Sequence, residues 1–135
     1  MLVNVSYNKP ELKRKINMLV GEPFTLRERF KLKGIGSGKI IINSACLAIH
    51  NLLILDNNQN CCNIELRPKG ILVGFRSLLE SYALVIPYYK LVLYKGKSQE
   101  YSIHMDHYFL KIKADRDKTH KYIKKVMQQK ALACS

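Results

Sequence analysis

Acidic side chains are scarce in this 135-residue chain: 10 Asp and Glu stand against 23 Lys and Arg, a formal net charge of +13 and a sequence pI near 9.7. With so few carboxylates, several of them beside lysines, paired-carboxylate hydrolysis has little support. No Cys-x-x-Cys pair exists among Cys46, Cys61, Cys62 and Cys134. Neighbouring Cys61 and Cys62 would point to opposite faces of a strand, so reduced, packing cysteines are expected rather than a metal site. His-Glu-x-x-His and Gly-x-Ser-x-Gly are absent, and no Pro/Gly/Ser-rich linker divides the chain. One domain over residues 1–135 is therefore expected, with no cofactor and no catalytic residue. Long hydrophobic runs are missing too. Residues 40–55 come closest, but Asn43, Ser44, His50 and Asn51 interrupt them, and a membrane-spanning helix needs about 20 predominantly apolar residues. Residues 1–5 form too short an apolar stretch for a signal peptide and run into Lys9, Lys13, Arg14 and Lys15. A cytoplasmic protein without a transmembrane segment is the expectation.

What the chain does contain is a run of strand patterns closing on one helix. Leu12, Ile16, Leu19 and Val20 share a face behind Pro10, which predicts an N-terminal helix over 10–21, stopped by Gly21 and Pro23. Antiparallel strands are expected over 23–114. Phe24, Leu26, Phe30 and Leu32 alternate with polar residues, and the β-branched run 40–42 opens two or three short strands. Residues 45–55 satisfy helical spacing as well, so strand is favoured there without excluding helix. Residues 56–60 form a polar turn by composition, Ile64 and Leu66 alternate around Glu65, and Arg67-Pro68-Lys69-Gly70 turns into a strand over 71–75. Residues 76–80 look like an exposed loop. Beyond it come strands over 82–86 and 88–94, a turn at 95–98, and strands at 100–105 and 108–113. Residues 115–133 carry Tyr122, Ile123, Val126, Met127 and Leu132 at helical spacing, a C-terminal amphipathic helix that must dock on the sheet to bury that stripe.

The excess of positive charge points to a phosphate-bearing or acidic partner. On a strand over 24–33, Arg27, Arg29, Lys31 and Lys33 would line one face, continued by Lys39 at the adjoining turn. These five are the expected binding residues, although cations on an edge strand also deter aggregation without any ligand. Gly34-Ile35-Gly36-Ser37-Gly38-Lys39 is not a phosphate loop, because Lys33 stands at the first glycine position and Ile40 replaces the hydroxyl residue. His104-Met105-Asp106-His107 is the one cluster with metal or acid–base character, and a hairpin turn accounts for Asp106 and His107. Phe109, Lys111 and Lys113 share a strand face in a manner compatible with base stacking.

The meander from Cys62-Asn63-Ile64-Glu65-Leu66 through Ala83-Leu84-Val85-Ile86-Pro87-Tyr88 and Lys90-Leu91-Val92 to the strand 108–113 and the last helix resembles the pleckstrin-homology-like fold over about two thirds of the chain. Ile86-Pro87-Tyr88 looks like the Ile-Pro-Tyr of bacterial members. The resemblance implies a mainly β, α+β fold: a strongly bent antiparallel sheet or near-barrel, with the C-terminal helix covering one open end. Pleckstrin-homology domains that bind phosphoinositides use a basic loop between their first two strands, and Lys31, Lys33 and Lys39 lie near a similar place. A tryptophan common in the helix of those domains is missing, since this chain has none, so ligand identity does not carry over. The expected function is a non-enzymatic binding module whose basic surface contacts an acidic protein or anionic lipid headgroups. A nucleic-acid-binding protein is the alternative, and an enzyme using residues 104–107 stands behind it.

Overall fold

Two antiparallel meanders, joined through their first and last strands, make one eight-stranded sheet in the computed structural model, which describes residues 1–55, 60–97 and 99–134. The first meander holds β2 (Ile40–Ala45), β3 (Cys61–Arg67), β4 (Gly70–Ser77) and β5 (Glu80–Pro87), with β1 (Leu2–Asn4) added on the far edge of β5. The second holds β6 (Val92–Lys95), β7 (Glu100–Met105) and β8 (Tyr108–Lys113). Strand order is β1-β5-β4-β3-β2-β8-β7-β6, so β1 and β6 are free edges and the sheet is not closed. β2 pairs with β3 through Ile40 and Ile41, then with β8 through Ile42, Ser44 and Ala45, with a register shift between Ile42 and Ser44.

Alternation along the strands sorts the two faces. Cys62, Ile64 and Leu66 of β3, Ile71, Val73 and Phe75 of β4, Leu110 and Ile112 of β8 and Ile103 and Met105 of β7 form one buried cluster. Helix α4 (Asp117–Ala133) adds Tyr122, Ile123 and Val126 to it, as its spacing predicts, while Met127 and Leu132 stay exposed. Each fully buried aliphatic side chain contributes about 1.5–3 kcal/mol, which fixes α4 on the inner face of the sheet. Helix α1 (Pro10–Val20) packs on the other face, where Ile16 and Val20 meet Val85, with Leu72 alongside. The buried Arg67 locks α1 down: its guanidinium donates to Glu65 Oε2 (2.6 Å), Asn17 Oδ1 (3.0 Å) and Gly21 O (2.9 Å). A Cβ on Gly70 would stand 2.3 Å from Ile86 O and 2.6 Å from a Val20 methyl, so only glycine lets helix and strand approach there.

Several expectations are corrected. Residues 24–33 are not a strand: α2 (Leu26–Lys31) occupies their middle, with none of its residues buried. The capping box of Thr25 and Glu28 decides this, with the Thr25 Oγ1 accepting from Glu28 N–H and the Glu28 carboxylate from Thr25 N–H. At the other end Lys33 N–H donates to Phe30 O and Gly34 N–H to Arg29 O, with Lys33 at φ 57°, a Schellman closure. Residues 45–55 resolve into the end of β2 followed by α3 (Leu47–Leu53), which buries Ile49 and Leu53. The strands expected over 23–114 are therefore interrupted by two helices. Residues 88–94 are not one strand, because Tyr88–Lys90 makes a 3₁₀ turn after Pro87 and the Tyr88 hydroxyl donates to Arg67 O (3.1 Å). Residues 76–80 are not a loop but the end of β4, a two-residue turn and the start of β5, with Ser77 paired to Glu80. The expected turn at 56–60 falls, except for Asn60, outside the described residues, as does Ser98 of the turn at 95–98.

The turn at Leu78 and Leu79 places a branched side chain where φ is 56°. Left-handed backbone costs a non-glycine residue about 1–2 kcal/mol. Leu78→Gly is expected to leave stability unchanged or raise it by up to about 1 kcal/mol. Chemical denaturation checks this, and a clear drop would mean that the exposed leucine packs on something essential.

Candidate functional site

Helix α1 covers the outer sheet face only over part of β4 and β5. Beside it lie two cross-strand rows of mostly small residues: Asn63, Gly74 and Ala83 are paired in register, and Arg76 is paired with Ser81. Asn63 lies so close over Gly74 that a Cβ there would stand 2.7 Å from its Oδ1. Small residues keep this floor low, and an open trough of about 1120 Å³ runs across it.

The chain before β2 builds one wall. Leu66 N–H donates to Ile35 O (2.9 Å) and Ser37 N–H to Ile64 O (2.9 Å), so residues 35–37 continue the line of β2 along β3. Between the Gly36–Glu65 bridge and the Ile40–Cys62 pair, the β2 side has one residue more than β3. This is a bulge, with Gly38 at φ 73°. The buried Ser37 repairs the ladder there: its Oγ accepts from Ile64 N–H (2.8 Å) and donates to Gly38 O (2.7 Å). From α4, the Tyr122 hydroxyl reaches both Ile35 O (2.7 Å) and Ile64 O (2.9 Å). Burial pushes this phenol well above its ordinary pKa, so it stays a donor.

Three cations line the trough: Arg29 from α2, Lys39 after the bulge and Arg76 from β4. All three are exposed, and none makes an ion pair with a described residue. Among the described residues Glu65 is the one acid in the lining, and Arg67 pairs with it at 2.6 Å. Of the five residues expected to bind, Arg29 and Lys39 therefore share one surface. Arg27 and Lys31, one turn apart on α2, and Lys33 beyond its end are not in the lining. The shared strand face expected for Arg27, Arg29, Lys31 and Lys33 is replaced by a helix, on which Arg29 points roughly opposite to Arg27 and Lys31. Lys31, Lys33 and Lys39 do not occupy a loop between neighbouring strands either. They precede β2, and the connection from β2 to β3 carries α3 and no Lys or Arg. Arg76 was missed because only the register of β4 against β5 puts it beside this floor.

The other candidates are dispersed. His104 lies on β7 with its Nε2 2.9 Å from Ser102 Oγ, between the rings of Tyr94 and Phe109. His107 sits in the β7–β8 turn against Tyr108. Asp106 there has φ 55° and pairs with Lys90 at 3.4 Å. Among the described residues no three His, Cys, Asp or Glu converge as metal ligands, and no helix is long and apolar enough to cross a membrane. All four cysteines are free thiols: Cys46 and Cys62 buried, Cys61 half-buried at the trough, Cys134 exposed. No protein-family model, curated protein or solved structure matches this chain.

Burial pushes the Cys62 thiol up to about 12. A folded pKa raised above the unfolded one gives stability that is complete below the ordinary thiol value and is lost as pH rises through the folded value. Unfolding is therefore expected to become easier between about pH 9 and 12, and a Cys62→Ala variant should lose part of that slope. At pH 8, a thiol reagent should modify Cys134 quickly and Cys62 only when the protein unfolds, as peptide mapping of the labelled chain would read.

Removing the Tyr122 hydroxyl tests the wall. Tyr122→Phe withdraws the donor from Ile35 O and Ile64 O and should cost about 1–3 kcal/mol. Amide exchange should quicken at Ser37 and Leu66. Unchanged exchange there would show that the hydroxyl does not hold this segment.

Proposed function

We propose that this chain is a non-enzymatic binding module whose basic surface contacts an anionic partner through the trough on its outer face. The observation that carries this reading is the convergence of Arg29, Lys39 and Arg76, from three separate segments, on one open surface whose only acid among the described residues is already paired with Arg67. Arg29 Nε donates to Phe24 O (3.2 Å), but no carboxylate among the described residues pairs with any of the three, and such cations on a shaped surface favour a ligand that supplies negative charge. Lysines of α4, the inner-face helix, reach the chain segment that precedes β2: Lys125 Nζ donates to Gly34 O (3.3 Å), and Lys118 Nζ lies near Gly38. The open antiparallel sheet with a C-terminal helix packed on its inner face supports a pleckstrin-homology-like arrangement of one domain, and a cytoplasmic setting suits four free thiols.

A nucleic-acid-binding reading has one observation of its own. Tyr94, His104 and Phe109 stand side by side across β6, β7 and β8, with ring centroids 5.2 and 5.7 Å apart. Lys111 shares this outer face, since Leu110 and Ile112 point inward. Aromatic and cationic groups on a sheet face can stack bases.

The test separates the trough from the overall field. Arg29→Gln, Lys39→Gln and Arg76→Gln combined should lower affinity for a soluble polyanion by about ten- to a hundredfold and make its salt dependence shallower. A control removing the same charge elsewhere, Lys95→Gln with Lys97→Gln and Lys121→Gln, should change it far less. Ligand in the trough should also slow labelling of Cys61. Equal losses in the two variants, with Cys61 unprotected, would reduce the effect to net charge. If Tyr94→Ala and Phe109→Ala abolish binding of single-stranded oligonucleotide while the trough variant does not, the nucleic-acid reading takes its place.

A further inference from the structure

Helix α2 is closed by a capping box and a Schellman turn, yet none of its residues is buried. A six-residue helix gains little from intrinsic propensity, and most helical stability comes from packing an apolar face. Its apolar face is present and uncovered: Leu26 and Phe30, one turn apart, are 82% and 87% exposed. Helical geometry places Arg27 and Lys31 on one flank of this ridge, Arg29 on the other and Glu28 opposite.

The turn between β4 and β5 repeats the pattern. A two-residue hairpin turn with positive φ favours Gly, Asn or Asp. This one holds Leu78 and Leu79, 57% and 89% exposed, with Leu78 in the left-handed region. The side chains neither fill the core nor ease the backbone. Leu78 lines the same trough as Arg29, and Arg76 stands two residues before the tip. Two apolar protrusions thus belong to one cationic surface.

We infer, resting on the basic-surface reading above, that this face docks on an anionic lipid bilayer. Leu26 and Phe30, together with the tip formed by Leu78 and Leu79, enter the boundary of the acyl chains. Arg27, Arg29, Lys31 and Arg76 meet the headgroup phosphates. Charge complementarity favours the bilayer, and the interleaving of the two residue classes selects it over an acidic protein. The buried centre of a protein–protein interface is depleted of charge, whereas here every exposed apolar group of α2 is bordered by cations. A helix lying in the plane of a membrane carries this arrangement: apolar ridge inward, cations at phosphate depth.

The absence of tryptophan supplies the probe. In a Phe30→Trp variant the only indole marks the ridge. Its emission should move to shorter wavelength with vesicles of phosphatidylcholine and phosphatidylserine, and not with phosphatidylcholine alone. Leu26→Ser with Phe30→Ser should lower partitioning onto the anionic vesicles by at least about tenfold. Leu78→Gly with Leu79→Ser should lower it as well without reducing the melting temperature, which a merely structural role for the tip would not allow. Vesicle binding with no spectral shift and no effect of the serine variants would overturn the inference and leave the basic-surface reading intact. So would binding to an acidic peptide or oligonucleotide, but not to vesicles, that is lost with the three trough cations. Insertion that survives removal of Arg29, Lys39 and Arg76 would instead sink the trough reading, and with it the headgroup contacts assigned to Arg29 and Arg76.

Discussion

One phenol oxygen links the three parts of the chain on which the site depends. Tyr122 rises from α4 into the core and ends on Ile35 O and Ile64 O, so the helix, the sheet and the segment before β2 share one polar anchor. The bulge at Gly38 breaks the ladder there; Ser37 Oγ satisfies the Ile64 N–H it leaves over, and Tyr122 adds a second hydrogen bond to two carbonyls that the ladder already engages. Unpaired backbone groups in a dry interior are costly, so residues 35–37 are confined to the side of β3. From that position the chain enters β2 with Lys39 at the trough and leaves α2 projecting beyond its wall.

The elements readable in the sequence are those whose burial follows their period. Ile16 and Val20 of α1 and Tyr122, Ile123 and Val126 of α4 are buried where their spacing puts them. Ile64 and Leu66 of β3 alternate inward around Glu65. Helix α2 failed that method for a physical reason: nothing in it is buried, so its apolar residues answer to no core. The alternation of Phe24, Leu26, Phe30 and Leu32 looked like a strand, and the local signals that mattered were Thr25 three residues before Glu28 and the glycine after Lys33. Helix α3 lay within an ambiguity that periodicity leaves open for short apolar runs. Arg29 and Lys39 were legible as cations but not as neighbours of Arg76, because the register of three strands brings them together. The low floor is a tertiary fact as well, since Gly74, Ala83 and Ser81 lie on two strands and become a surface only when paired.

The two helices on this side of the sheet show how one surface is divided. Helix α1 has its apolar stripe on Val85 and Leu72 and its end held by Arg67, and it closes off part of the outer face over β4 and β5. Helix α2 is completed within itself by its caps and leaves its apolar ridge unused. Local hydrogen bonds suffice to shape a short helix when both ends are satisfied, but they leave its side chains free for other surfaces.

The pairing of β2 with β8 also sets the order in which the sheet can form. β3, β4 and β5 are joined by two-residue turns, and β7 and β8 by another, so each meander closes locally. Ala45 and Leu110, in contrast, meet across more than sixty residues of chain. Such a contact requires a long loop to close before it returns any stabilisation, and non-local pairings of this kind slow folding. By this argument the seam, like the still longer-range pairing of β1 with β5, closes after the local hairpins. Until it closes, the edges of β2 and β8 are open to pairing with other chains, and the transient hazard for this protein lies along that seam.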